Sequence, residues 1–249
     1  MEYDSFDEFL ASAGYVIDGI WYPRVTAIVG IKAKPALYRY YANMPGMAAA
    51  DQAKERSAQE GAAVHDTAEA ILRGSHVMIP EAIRPAIEAF TEFLRNNDVN
   101  PLLIEERVVS KANRYAGTID VLAEVNGIVG VLDIKTSLAV YRDYGLQTAA
   151  YVKALRERSD IPPPQTSWIL RLDQAQHCEL CHATLRSKGG VAKVRKGRRD
   201  CPHAWTPIQG QFEFVQVPET EDNMAAFLAA KRLWEWEHRD WLQRVDHNS

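Results

Sequence analysis

Asp120, Asp133 and Lys135 are the residues of this 249-residue chain whose types and spacing point most directly to chemistry. They lie in Gly117-Thr118-Ile119-Asp120 and Asp133-Ile134-Lys135-Thr136, joined through Asn126-Gly127. Asn-Gly between alternating apolar runs marks a two-residue hairpin turn. With the turn there, Val125 pairs with Ile128, and counting back sets Asp120 opposite Asp133. Lys135, two residues on, shares their face. Facing carboxylates repel unless a cation lies between them. A divalent metal beside a lysine is equipment for hydrolysing a phosphodiester. If Lys111-Ala112-Asn113-Arg114 is a four-residue connection, Ser110 pairs with Tyr115. Glu105 then falls opposite Asp120, and Glu106 points to the other face. A one-residue slip would reverse that choice. The plain alternative is a solvated strand face carrying Glu and Lys.

A second group is Cys178-Glu179-Leu180-Cys181 with Cys201-Pro202-His203. The first pair has the turn spacing of structural zinc, and Cys201 and His203 complete a Cys3His set. His177 and His182 compete for the fourth place. Cys178-x-x-Cys181-His182 also matches the c-type haem attachment string. Three free cysteines in a loop is the plain alternative. The segment 177–203 carries seven basic residues against two acidic ones, within a chain of net charge -4. A basic loop pinned by zinc suits contact with a DNA backbone through Arg195, Lys196, Arg198 and Arg199. A solvated hairpin would look the same.

These groups need a scaffold. Hydrophobic residues make up 47% of the chain, enough for a substantial core. There is no apolar run of membrane-span length and no basic-plus-apolar leader at Met1-Glu2-Tyr3-Asp4. The expectation is a cytoplasmic protein, host cytoplasm if phage-encoded, with no membrane partner. Residues 1–45 read as aromatic and irregular. Ser57-Ala58-Gln59-Glu60 fits a capping box, predicting a helix over 58–73. Ile83, Ile87, Phe90 and Leu94 have helical spacing over 81–96, with Pro85 in the first turn. Segments 103–110, 115–125 and 128–136 read as a three-strand meander. A helix over 143–158, strands over 166–172 and 212–217, and a Trp-rich C-terminal helix capped by Thr220 follow. Trp234, Trp236 and Trp241 are expected to pack against the core. Tyr38, Tyr40 and Tyr41 beside Lys32, Lys34 and Arg39 either line a single-strand channel or pack a helix. The order predicts one mixed α/β domain over 1–249, with a central mixed sheet flanked by helices. The Cys/His-containing basic segment 174–210 is an insertion within it.

Gly117-Thr118-Ile119-Asp120, Asp133-Ile134-Lys135 and Gln147-Thr148-Ala149-Ala150-Tyr151 together resemble the PD-(D/E)XK nuclease superfamily. The nearer branch is its RecB-like exonucleases, which include phage and mitochondrial genome-maintenance enzymes. Gly61-Ala62-Ala63-Val64-His65 looks like that branch's histidine-bearing helix, and Arg24-Val25-Thr26-Ala27-Ile28 like a segment that opens many phage members. Ile119 stands in place of the family's proline, and the second acid is Asp. The resemblance covers roughly residues 20–160 and implies a restriction-endonuclease-like core. It implies that Asp120, Asp133, His65 and the Ile134 carbonyl bind Mg2+ or Mn2+. It further implies that Lys135 handles the attacking water, that Glu105 supports the site, and that Gln147, Tyr151 and Thr136 meet the DNA strand. Glu69, one turn beyond His65, is either its orienting partner or a surface acid. The expected activity is metal-dependent hydrolysis of DNA, by an exonuclease working on ends or single strands. A non-catalytic nucleic-acid-binding or assembly protein on the same fold, using the zinc-type hairpin, is the alternative.

Overall fold

The computed structural model describes residues 3–33, 35–42, 44–218 and 221–247. Lys34 and Thr220 lie outside them, as do the side chains of Arg39 and Tyr40. The first forty-odd residues are more regular than their composition suggests. Helix α1 (Phe6–Ala13) starts where the Ser5 hydroxyl accepts the Glu8 amide at 3.1 Å. Strands β1 (Gly14–Ile17) and β2 (Ile20–Pro23) close over Asp18-Gly19, both with positive φ, as a tight hairpin requires. Short helices α2 (Val25–Gly30) and α3 (Pro35–Ala42) follow.

Helix α4 (Met47–Leu72) is 26 residues long, so Ser57 sits inside it and forms no capping box. The upstream run Met47-Ala48-Ala49-Ala50 to Arg56 is dense in strong helix formers and carries the helix back past Ser57. Helix α5 (Arg84–Asn96) has Pro85 in its first turn, and Ile87, Phe90 and Phe93 turn into the core.

The meander forms as expected: β3 (Val99–Ser110), β4 (Tyr115–Val125) and β5 (Ile128–Lys135). Ser110 pairs with Tyr115, and Val125 pairs with Ile128 across a turn whose Asn126 and Gly127 both have positive φ. Helix α6 (Tyr144–Leu155) crosses over to β6 (Thr166–His177), which runs parallel to β5. Strand β6 continues past Leu172 because its polar Asp173 is buried and paired with Arg171 and Arg186.

The basic insertion is a hairpin of β7 (Thr184–Lys188) and β8 (Val191–Arg195). It joins β6 at Gln176 and His177, beyond the point where β5 stops pairing. Strand β9 (Gln209–Val217) covers the other edge of β6. Among the described residues the main sheet has seven strands, mixed in direction. The C-terminal helix is two helices, α7 (Glu221–Glu237) and α8 (Arg239–His247), broken at His238.

The sheet has a core on each face. One is built with α1, α2, α6, α7 and α8 and includes Phe9, Ile119, Leu122, Val131, Tyr151 and Trp234. The other is built with α4 and α5 and includes Val64, Val121, Leu132, Ile134, Phe90 and Trp168. Trp234 is buried and stacks on Phe9, and Trp241 also stacks on Phe9, but Trp236 is 62% exposed. No helix among the described residues is long and apolar enough to cross a membrane.

Candidate functional site

The ladder between β4 and β5 is regular to Val121 and Leu132, and the next position holds Asp120 and Asp133. Here pairing gives way: the Ile134 amide donates to Asp120 Oδ2 at 2.6 Å instead of to a main-chain carbonyl of β4. On β3, Glu105 occupies the position opposite Asp120 and adopts φ 52°, a left-handed conformation that a strand residue rarely takes. Side-chain alternation breaks at this pair. Ile119 and Leu122 enter one core, while Val121 and Ala123 enter the other. The result corrects the single flat patch expected from strict alternation.

The break sorts the acids into two linked groups. Atoms of Glu105, Asp120 and His65 of α4 all come within 4.8 Å of one another. His65 Nδ1 is 3.7 Å from Asp120 Oδ2. Asp133 lies deeper, fully buried, and faces α6: its Oδ1 accepts from Gln147 Nε2 at 3.1 Å, and that same amide donates to Tyr151 Oη at 3.1 Å. Lys135 Nζ lies 2.7 Å from Asp133 Oδ2 and 5.2 Å from the centre of the Tyr144 ring. Asp133 Oδ2 is fully buried, and the Lys135 ammonium is the group that meets it. Gly117 makes room for this arrangement, since a Cβ there would sit 2.4 Å from Tyr151 Cε1.

The electrostatics follow from burial. Desolvation raises Asp133 to about 6 against the pull of Lys135, with Asp120 adding repulsion. Desolvation and then Asp120 raise Glu105 to about 7. Asp120 is raised too, by burial, although Lys135 and the Ile134 amide oppose it. Burial, then Lys135, lowers His65, which favours the neutral imidazole. For Lys135 burial acts downward, but Asp133 and Asp120 outweigh it and hold the ammonium charged. Carboxylates reluctant to ionise and a neutral imidazole, with ligand atoms of His65, Glu105 and Asp120 within 4.8 Å of one another, fit a hard divalent cation with oxygen and nitrogen ligands.

Other expected residues fall differently. Ile134 reaches the site through its amide, as above. Glu69 pairs with Arg73 at 2.8 Å. Glu106 faces away and meets Arg158 at 3.4 Å. Thr136 accepts from the hairpin: Arg186 Nη2 reaches its carbonyl at 3.0 Å, and Lys188 Nζ reaches both its carbonyl and, at 2.7 Å, its hydroxyl. Lys32 pairs with Asp143 at 3.3 Å.

Cys178, Cys181, Cys201 and His203 come together, with ligand atoms within 4.8 Å of one another. Cys178 Sγ is 3.8 Å from Cys201 Sγ, and Cys181 Sγ is 3.4 Å from His203 Nδ1. Ligand atoms around a tetrahedral zinc lie about 3.5–3.8 Å apart, given bonds of about 2.3 Å to sulfur and 2.0 Å to nitrogen. This group is therefore able to hold a zinc ion. Burial acts to raise the Cys178 thiol, but hydrogen bonds from His203 and from the Leu180 and Cys181 amides bring it to about 6. His182 takes φ 58° to close the first knuckle, its amide donating to the Cys178 carbonyl at 2.9 Å. Arg195, Lys196, Arg198 and Arg199 are exposed beside this cluster.

An open cleft of about 510 Å³ adjoins the site at His65 and Lys135 and is lined also by Lys54, Ser57, Gly61 and Lys188. In the sequence Lys188 is one of the seven basic residues of the insertion, and nothing in its spacing or in that of Lys54 links either to Lys135. No protein-family model matches this chain, and no curated protein was found similar to it.

Proposed function

We propose that this protein is a metal-dependent nuclease that hydrolyses phosphodiester bonds in DNA, and that it acts as an exonuclease on ends or single strands. The observation that carries the reading is the meeting of His65, Glu105 and Asp120 beside the buried Asp133–Lys135 pair, with His65 and Lys135 also lining an open cleft. Exonuclease action and DNA as substrate rest on the resemblance to RecB-like nucleases.

His65, Glu105, Asp120 and Asp133 would hold Mg2+ or Mn2+, and such an ion polarises a phosphate and acidifies bound water. The chain's own contribution is placement and charge. Lys135 stays an ammonium, so its part is to stabilise charge developing on phosphoryl oxygens and to orient water through a donor. Gln147 holds Asp133 and Tyr151 in fixed relation, which keeps the Asp133 carboxylate turned toward Lys135. His65, neutral, offers a nitrogen lone pair. The Cys3His group is assigned a structural zinc that pins the hairpin to β6.

The test is digestion of end-labelled single- and double-stranded DNA with Mg2+ or Mn2+, comparing the protein with its Lys135→Ala variant. Cleavage that the substitution abolishes supports the nuclease, and the product ladder reports direction. No cleavage by either, with DNA still bound, favours the binding protein on the same fold.

A further inference from the structure

The hairpin of β7 and β8 is more than an appendage, because its end is locked against the candidate site. Gly189 has φ 60° and sits so close to α4 that a Cβ would come within 2.3 Å of the Ala53 carbonyl oxygen. Its amide donates to both Glu60 carboxylate oxygens, at 3.0 and 3.2 Å. In the middle of β7, Arg186 bonds Asp173 and the Thr136 carbonyl. Lys188 is held between these anchors. Its ammonium donates to the carbonyl and hydroxyl of Thr136, the residue directly after Lys135, and lines the same cleft as Lys135 and His65.

This lysine is oddly provided for. Among the described residues no carboxylate is ion-paired with Lys188: of the two acids that act on it, Asp173 is held by Arg171 and Arg186, and Glu60 by the Gly189 amide. Burial, then Arg186, brings the ammonium down to about 8. A half-buried cation whose hydrogen-bond partners are neutral, and with three N–H groups of which Thr136 takes two, has a donor left for an anion. The cleft beside it is floored by the small residues Ala58, Gly61 and Ala62 and carries Lys54 further along α4. Small side chains let a backbone approach closely, and lysines spaced along an open groove match successive phosphates.

We propose that Lys188 binds a backbone phosphate of single-stranded nucleic acid lying in this cleft, so that the hairpin supplies part of the substrate site. The proposal rests on the nuclease reading for the choice of ligand, but not on hydrolysis.

The experiment measures binding of a fluorescein-labelled oligothymidylate by anisotropy without added Mg2+ or Mn2+, over a series of salt concentrations. The wild-type chain is compared with Lys188→Met and Lys188→Arg. One lost phosphate contact on a single strand lowers the slope of log affinity against log salt by about 0.7. The expected result is that loss in Lys188→Met, with affinity down roughly five- to tenfold at moderate salt, and the original slope in Lys188→Arg. A purely structural lysine would not move the slope. Should Lys188→Met fail to fold, Lys188→Gln removes the charge while keeping a polar, shorter side chain with N–H donors. An unchanged slope in a folded variant overturns the proposal while leaving the nuclease reading intact. A wild-type chain that binds no oligonucleotide overturns it as well. Binding with the predicted slope loss but without cleavage by the wild type upholds it and counts against the nuclease alone.

Discussion

The Ile134 amide donates to Asp120 Oδ2 at 2.6 Å, so a side chain of β4 takes the place of its main chain in the ladder to β5. This one substitution ends the regular pairing where the acids begin. It turns Asp120 toward His65 and leaves Asp133 facing α6. The acids are thus neighbours without being stacked directly against each other, and Lys135 takes part of the repulsion that remains.

Divalent metal binding is expected to strengthen as pH rises. Glu105 and Asp133 have folded-state values raised to about 7 and about 6, so below those values a cation must displace their protons. Calorimetry with Mn2+ is expected to show affinity climbing from pH 6 to pH 8. The metal-free protein has the opposite trend. Its folded state retains protons that the unfolded chain has already released, so stability falls as pH rises from the ordinary carboxylate range toward about 7. Metal affinity that stays flat over this interval would remove these carboxylates from the site.

Lys135→Ala is expected to destabilise the metal-free protein by about 3–5 kcal/mol, because it strips the cation from the fully buried Asp133. Asp133→Asn should behave differently: it relieves repulsion with Asp120, holds or raises the melting temperature, and abolishes activity. Thermal melts of both variants in chelator check the pair. Equal losses of stability would mean that Asp133 is a structural acid.

Gly117→Ala is expected to cost roughly 1–3 kcal/mol through overpacking, since the new methyl meets the Tyr151 ring. The displaced ring would pull on Gln147 and hence on Asp133, so activity should fall further than stability alone explains. Nuclease assays well below the variant's melting temperature test this. Full activity there would detach Tyr151 from the site.

Purified protein is expected to carry one zinc per chain, by elemental analysis. Cys181→Ser should lose it and free the hairpin to proteolysis near the exposed residues 195–199. A zinc-free protein of undiminished stability would show that the Cys3His group is a thiol cluster only.

Much of this was legible in the amino acids, and the reason is local. Asn126-Gly127 dictates its own turn, and once a turn is set, period-two alternation carries the register outward to Val121 and Leu132. The spacing of Ile87 and Phe90 gives α5 for the same kind of reason, and Cys178-x-x-Cys181 carries a knuckle within one turn. What only the tertiary structure decided are the places where a local rule is overridden by a distant partner. Alternation breaks at Asp120 because the Ile134 amide and His65 claim its carboxylate. Strand β6 runs on through Asp173 because Arg186, from a later strand, neutralises it. Lys188 reaches the cleft because Gly189 docks on Ala53, more than a hundred residues earlier in the chain. Contacts of that separation leave no period and no spacing to read, since they are set by which surfaces meet after the elements have formed.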